Sequence, residues 1–452
     1  MRKESDARGI RRVDLAYVQL ASSEIARDIN HDVVLELIRA RQPISRAELA
    51  RLSGLQRSTV SNITDQLIAE RWVCEGAVAR LPRGRRPTML VLNDDLVMLV
   101  ADIRPRLSTV AVIDLNGRFL SRSQLPLTSD PARSVAGIVS IMKRMQEQLS
   151  AKSFEGIGVS LPGRVDPRSQ RLIFAPNLAW PDYDIKGAIE RETGLPVELD
   201  NAANACLLAE TWFGRMDGIR NAVLVTISEG IGTGILANGQ MVSGFNGMAG
   251  EFGHMPLDPD GLLCGCKAKG CWETVASSRA ALRYYAETGP TGAHLEYHDL
   301  LRLADEGDAR AVRALEKQAE LIGKGLRLIT AAISPEVILI AGDLVSSWQR
   351  FSPILERHVA AQTLAGAPPR IVATHETEVA RLRGAAVLVL QRNSSHHLPP
   401  VSRSERQFPK MPGTLTHEEE SGSASRFRKT SASSRQRLPE APAASGGVGA
   451  KT

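Results

Sequence analysis

The feature that most narrows the possible folds is a short run whose side chains have to converge on one point. Residues 249–273 read AGEFGHMPLDPDGLLCGCKAKGCWE, and three of the chain's five cysteines fall within eight residues of this stretch. His254, Cys264, Cys266 and Cys271 supply one nitrogen and three sulfurs, the number and type of donor that a tetrahedral structural zinc takes. Gly265 and Gly270 permit the tight backbone that such close ligands require. A Cys-x-Cys step is too short for easy disulfide closure, and a tight cysteine cluster in a reducing compartment is more often a metal site than a disulfide framework. Unmetallated thiols and chance clustering are the alternatives. With all four positions filled by protein, one zinc per chain would organise a loop and activate no water. The run also carries Glu251 and Glu273. Two carboxylates held near one point suit hydrogen bonds to a polyhydroxylated ligand; the competing reading has them orient the metal ligands.

The chain's 452 residues are enough for two or three domains, and a hydrophobic content of 43% supports large cores. No apolar run reaches the roughly 18–20 residues of a membrane span, and the first residues lack an apolar signal-peptide core. These features predict a cytoplasmic protein with no membrane partner. Charge is uneven. Residues 28–92 hold ten basic against seven acidic side chains and residues 401–452 nine against five, while the long middle is mildly acidic. That asymmetry points to contact with a polyanion by one end.

Residues 1–27 are polar without a long period and read as a flexible lead. From Asn30 the text is helical, with Val33, Val34, Leu37 and Ile38 on one face. Ser45 followed by Glu48 forms a capping-box pattern, and Ser53-Gly54 is a helix stop. A second helix starts near Gln56 with Val60, Ile63, Leu67 and Ile68 as its buried stripe. Two short helices joined by a glycine-containing turn are the mark of a helix-turn-helix. Arg57, Ser58, Thr59, Ser61 and Asn62 lie near the start of the second helix on its exposed side, where small or basic donors reach phosphates and base edges in a major groove. The following stretch reads as strand, turn and strand, with Arg83, Arg85 and Arg86 at its tip. Residues 28–92 are therefore expected to form a winged helix-turn-helix that binds operator DNA, the wing lying along the backbone or minor groove. The alternative is a small helical docking module with a solvated basic loop.

Residues 93–393 alternate strands and helices in two halves, an α/β order. Residues 394–452 are rich in Ser, Pro and Arg, hold few large apolar side chains, and read as a disordered basic tail.

Several segments of the middle region occur together and in a familiar order: SLPGRVD, APNLAW, EGIGTGI, GEFGHM and CGCKAKGCWE. Over roughly residues 93–393 the chain resembles the ROK family of repressors, open reading frames and kinases. The resemblance implies an actin-like, RNase H-like two-lobed fold of ATPase type with a sugar in its cleft and a zinc bracing the sugar-site loop. It places the metal ligands at His254, Cys264, Cys266 and Cys271. It places sugar contacts at Gly163, Arg164, Asn177, Asn201, Glu251, His254 and Glu273. A winged helix ahead of such a domain is similar to the family's transcriptional repressors, such as those of xylose or N-acetylglucosamine genes, which implies a homodimer or homotetramer.

The departures from the kinase pattern are as informative. Where family kinases carry an Asp-x-Gly-Gly-Thr phosphate loop, this chain has Asp102 followed by Arg104 and Pro105. Proline removes a backbone donor that a phosphate loop needs. The position of the kinase base is Ala202, with Asp200 two residues away. The second phosphate loop reads Ser228-Glu229-Gly230, and Gly342-Asp343 replaces a Gly-Gly pair. These changes predict a sugar-responsive transcriptional regulator, most readily a repressor, with no catalytic residues. An active sugar kinase with a DNA-binding extension is the alternative, and a constitutive DNA-binding protein with a vestigial domain is a third.

Overall fold

The computed structural model describes residues 23–78, 87–175, 177–178, 180, 183–214, 216, 218–290, 295–361, 367–374 and 377–395. The expected wing tip with Arg83, Arg85 and Arg86, most of the lead and nearly all of the C-terminal tail lie outside the described residues.

The first elements are α1 (Ser23–Arg41), β1 (Ile44–Ser45), α2 (Arg46–Ser53), α3 (Arg57–Ala69), β2 (Val73–Val78) and β3 (Thr88–Leu92). Helix α1 begins before both Asn30 and the expected boundary at residue 27. Its first turns mix polar residues with Ile25 and Ile29, and Ile29 is 57% exposed, so no buried stripe marks the start; once the packed turns nucleate the helix, extension is easy. Its core face also differs from expectation. Val34, Leu35 and Ile38 are buried, Leu37 is half-buried and Val33 is 40% exposed. Five apolar residues between 33 and 38 satisfy two faces, and packing against α2, α3 and β3 selects one. Ser45 caps α2 as expected, accepting from the Glu48 N–H at 3.3 Å, while the Glu48 carboxylate meets Arg51 at 3.4 Å. In α3, Ile68 is only half-buried and Thr64 joins Val60, Ile63 and Leu67 inside. The Thr64 hydroxyl is satisfied there, donating to the Ser61 carbonyl and accepting from Arg46 Nε, both at 3.0 Å. Strands β1, β3 and β2 form an antiparallel sheet in that order, which completes the winged-helix arrangement.

The first lobe contains β4 (Leu96–Ile103), β5 (Leu107–Asp114), β6 (Phe119–Pro126), α4 (Pro131–Gln148), β7 (Ser153–Leu161), β8 (Arg164–Val165), β9 (Leu172–Phe174), α5 (Ile185–Thr193) and β10 (Val197–Asn201). Helix α6 (Ala202–Phe213) leads to the second lobe. That lobe holds β11 (Ala222–Ile227), β12 (Ile231–Ala237), β13 (Gln240–Met241), α7 (Trp272–Ala276), α8 (Ser278–Glu287), α9 (Tyr297–Asp305), α10 (Ala309–Ile333), β14 (Val337–Gly342), α11 (Trp348–Ala360) and β15 (Arg370–Ala373). Helix α12 (Thr377–Ser395) returns to pack on α6, β4 and β7.

The sheet orders are β10-β7-β4-β5-β6 and β13-β12-β11-β14-β15. In each, the first three strands in sequence form an antiparallel meander and the last two add in parallel on the far side of the first. The two lobes thus repeat one RNase H-like topology. Strands β4, β11 and β14 are buried along their whole length, which explains their unbroken apolar text. One core crosses from the winged helix into the first lobe: Ile38, Leu49, Leu67 and Leu90 pack with Met98 and Val100 of β4 and with Leu382, Ala385 and Val389 of α12.

Candidate functional site

The repeated topology turns several strand carboxyl ends toward one cavity of about 480 Å³. Loops leaving β4 (Arg104 to Leu107), β7 (Pro162 to Arg164), β10 (Asn201 to Ala203), β11 (Ser228 to Gly230) and β14 (Gly342 and Asp343) all line it. This is where open α/β sheets bind ligands, because backbone groups and loop side chains are left there for a guest.

One end of the cavity is a set of alternating donors and acceptors. Asn201 caps α6, its Oδ1 accepting from the Asn204 N–H at 2.8 Å, which leaves its Nδ2 donors for the cavity. Asn177 Oδ1 accepts from Arg279 Nη2 at 3.0 Å. An arginine only donates, so this contact fixes the amide and presents Nδ2 as the remaining donor. Glu251, in a one-turn 3₁₀ helix with His254, and Glu273, in the first turn of α7, are the acceptors. Burial makes Glu251 a weaker acid than usual. Gly163 and Arg164 line the same end, and Arg164 Nε is buried with no hydrogen-bond partner among the described residues.

Behind Glu251 and Glu273 lies the cysteine loop. The donor atoms of His254, Cys264, Cys266 and Cys271 all lie within 4.8 Å of one another. His254 Nδ1 is 3.5 Å from Cys264 Sγ, and Cys266 Sγ is 3.5 Å from Cys271 Sγ. Tetrahedral metal–sulfur bonds of about 2.3 Å imply ligand–ligand edges of about 3.8 Å, so the donor set fits a four-coordinate metal. The loop is closed by Cys264 N–H donating to the Ala268 carbonyl at 2.8 Å and Lys267 N–H donating to the Cys264 carbonyl at 2.9 Å. The residues that turn it are Gly270 (φ +64) and Lys267 (φ +73); Gly265 is not among the positive-φ positions. At Gly270 a Cβ would overlap the carbonyl of Asp258, so only glycine fits. His254 also lines the cavity, its Nε2 3.6 Å from Glu251 Oε2. Glu273 touches both regions, with Oε1 2.9 Å from Cys264 Sγ. Cysteine loop and cavity wall are therefore one structure.

The other end of the cavity is filled differently. Asp102, fully buried, accepts from Arg104 Nε at 2.7 Å, and Arg381 lies 4.0 Å away. Glu378 at the start of α12 faces Arg104 at 3.8 Å and also pairs with Arg122. Pro105, Glu229 and Asp343 complete the wall, and burial raises the Asp343 pKa. Ala202, the first residue of α6, contributes a methyl group to the cavity wall.

Residues 106–392 match the ROK family and residues 33–75 match the IclR helix-turn-helix domain. The chain belongs to the ROK family.

The xylose repressor of Bacillus subtilis is 31% identical over 334 residues, which cover 73% of this chain and 86% of that protein. Among solved structures, a ROK family transcriptional regulator described as a homologue of the E. coli MLC protein aligns with a TM-score of 0.71 and 27% identity, covering 82% of this chain and 98% of its own. A ROK family glucokinase from Streptomyces griseus, in complex with glucose and AMPPNP, aligns with a TM-score of 0.59 and 28% identity over 65% of this chain and 99% of its own. Both structures are covered over nearly their whole length, and the regulator spans a larger share of this ROK chain than the kinase does.

In this ROK chain the seven residues expected at the sugar site all line the cavity, and the four expected metal ligands form the cluster. Of the residues expected to meet DNA, Arg57, Ser58 and Asn62 are exposed on α3, with Thr59 and Ser61 half-buried beside them. Sequence reasoning missed Arg279, which also donates from Nε to the Glu229 carbonyl at 2.6 Å and so joins both sides of the cavity mouth. No local pattern connects it with Asn177. Arg381 and Glu378 were missed too, because they reach the cavity only through the return of α12.

Asp200 sits just behind Asn201. Its Oδ1 accepts from Asn204 Nδ2 at 2.9 Å and from the Asn201 N–H at 2.6 Å, yet desolvation pushes its pKa up to about 6. A carboxyl whose folded pKa is raised stabilises the fold while protonated, and that contribution is lost as pH rises from about 4 through about 6. Asp200→Asn keeps an acceptor for both donors and has no charge to desolvate. The variant is expected to match the parent in stability near pH 4 and to exceed it at pH 7.5 by on the order of 2–3 kcal/mol. Thermal unfolding at both pH values reads this directly; an equal deficit at both would show that the charge of Asp200 does not set stability here and that the substitution disturbs its hydrogen bonds instead.

Proposed function

We propose that this protein is a sugar-responsive, DNA-binding transcriptional regulator of the cytoplasm, acting as a repressor of carbohydrate genes. The carrying observation is the matched set at one end of the cavity: Asn177 and Asn201 as donors, Glu251 and Glu273 as acceptors, His254 bridging to the metal loop. Sugar hydroxyls donate and accept at once, and such a set meets each in both roles. The xylose repressor supports the reading by its name, and the glucose-bound glucokinase supports the placing of a sugar in this cleft. The metal is zinc, one per chain: one nitrogen and three sulfurs at tetrahedral spacing are a donor set that zinc takes in structural sites. It would hold Glu251, His254 and Glu273 in register.

The protein does not phosphorylate its sugar. A methyl group at Ala202 accepts no proton, and loss of a general base costs about 10²–10⁴-fold in rate. Asp102 is engaged by Arg104, Pro105 lacks a donor, and Glu229 and Asp343 would repel nucleotide phosphates. Residues 28–92 read the operator through Arg57, Ser58, Thr59, Ser61 and Asn62 and through Arg83, Arg85 and Arg86 of the basic segment between β2 and β3. In a homodimer or homotetramer, ligand closes the cleft and shifts the spacing of paired winged helices, so operator affinity changes.

The test uses the full chain and a duplex that it selects from a random-sequence pool. A sugar panel that includes D-xylose and D-glucose should contain a member that both raises the melting temperature and alters the affinity for the duplex, with no ATP turnover. Arg57→Ala should weaken duplex binding by about 1–3 kcal/mol if the guanidinium meets a base edge. Sugar-dependent ATP turnover abolished by Asp200→Asn would replace this reading with that of a kinase.

A further inference from the structure

We infer that the cleft reports its state to the winged helix through α6, and that the joint between Trp212 of α6 and Arg39 of α1 is the coupling point. This rests on the reading of the cavity as a sugar site. Neither residue lines the cavity or belongs to the DNA-facing side of α3.

Helix α6 spans the distance by itself. Its N-cap Asn201 and first residues Ala202 and Ala203 line the cavity. Its twelve residues extend about 18 Å and end at Trp212 and Phe213. The Trp212 carbonyl accepts from Arg39 Nη1, and the Arg39 guanidinium lies 5.4 Å from the centroid of the Trp212 ring. Arg39 is also gripped by Glu36 on its own helix. Helix α1 packs on α3, so a path from the cleft wall to the helix carrying Arg57 runs along α6 and through this joint.

Helix α12 backs this strut and removes its slack. Its Arg381 lines the cavity, and its backbone at Gly384 is pressed so close to Ala205 of α6 that a Cβ would overlap the Ala205 carbonyl. Arg383 donates to the Gly117 carbonyl at 3.1 Å and lies 5.8 Å from the Phe213 ring centroid. Leu382, Ala385 and Val389 belong to the core that also holds Val34 and Ile38 of α1. A displacement of the α6 N-terminus on ligand binding is therefore carried along the helix instead of being absorbed.

The joint lies beside the apolar core that the winged helix shares with β4 and α12, and adds to it a polar contact, a ring stacked under a cation and the nearby bond from Gln42 Nε2 to Asn116 Oδ1 at 2.7 Å. Trp212 Nε1 is buried there with no hydrogen-bond partner among the described residues. A buried orphan donor favours any rearrangement that gives it a partner.

The experiment uses the full chain, its pool-selected duplex, and D-xylose and D-glucose as probes. Arg39→Met keeps the aliphatic stem and loses the charge and donors. The wild type should show at least an about five-fold sugar-dependent change in duplex affinity. Arg39→Met should keep the sugar-induced rise in melting temperature and bind the duplex within about two-fold without sugar, but its sugar-dependent change should fall to less than two-fold. Retention of the full change would overturn the inference. Hydrogen exchange supplies a second reading that does not depend on the variant's stability. In the wild type, sugar should alter protection in both the first turn of α6 and residues 37–42; a change confined to α6 refutes the coupling. If neither sugar affects the wild type's melting or duplex binding, the reading of the cavity falls and the inference with it. Sugar-induced melting shifts without transmission to α1 sink the inference alone.

Discussion

Cys266→Ser is expected to purify with far less than one equivalent of zinc per chain and to lose sugar affinity by about 10–100-fold. Serine keeps the volume but not the thiolate that a four-coordinate site needs. Without the metal, the turn around Lys267 and Gly270 loses its anchor, and with it the placement of Glu273, whose carboxylate lies against Cys264. The melting temperature should fall too, but by less than in a zinc finger, because Trp272 and Val275 of the adjoining helix remain packed in the second-lobe core. Metal content by elemental analysis and sugar binding by calorimetry give independent readings. A variant that retains a full equivalent of zinc would show that Cys266 is not a ligand. Metal loss with sugar affinity intact would show that loop and cavity are independent.

Gly384→Val should have the largest effect on the fold. The added side chain meets the backbone of Ala205 and not a flexible side chain, so neither helix can yield locally. Helices α6 and α12 would have to separate, exposing Leu382, Ala385 and Val389. A cost on the order of 4–5 kcal/mol, at the top of the range for single substitutions, is expected. Thermal unfolding and the soluble yield check this; a melting temperature within about 2 °C of the parent would mean that the two helices are not held as described.

Much of this architecture could be read in advance because the deciding signals are local. Ser45, Gly54 and the stripe Val60, Ile63 and Leu67 mark the two short helices by chemistry that acts within a few residues. The convergence of His254, Cys264, Cys266 and Cys271 was legible for the same reason: four donors within eighteen residues leave little freedom. What could not be read is set by tertiary packing. Val33 and Leu35 are equivalent in apolar character, and only the neighbouring elements decide which one is buried. Arg279 meets Asn177, and Glu378 meets Arg104 and Arg122, across separations that no periodicity encodes. Thr64 inside α3 was hidden because its hydroxyl is satisfied by Arg46 from another helix.

The core that runs from Ile38 and Leu67 through Met98 to Val389 has a consequence for how this molecule can be cut. The DNA reader is not a bead on a string. Severing the chain after Leu92 would strip the cover from β4 and α12 and leave each fragment with a raw oily face. The two parts should melt together, and a front end grafted in place of this one would need a matching apolar surface on β4 and α12.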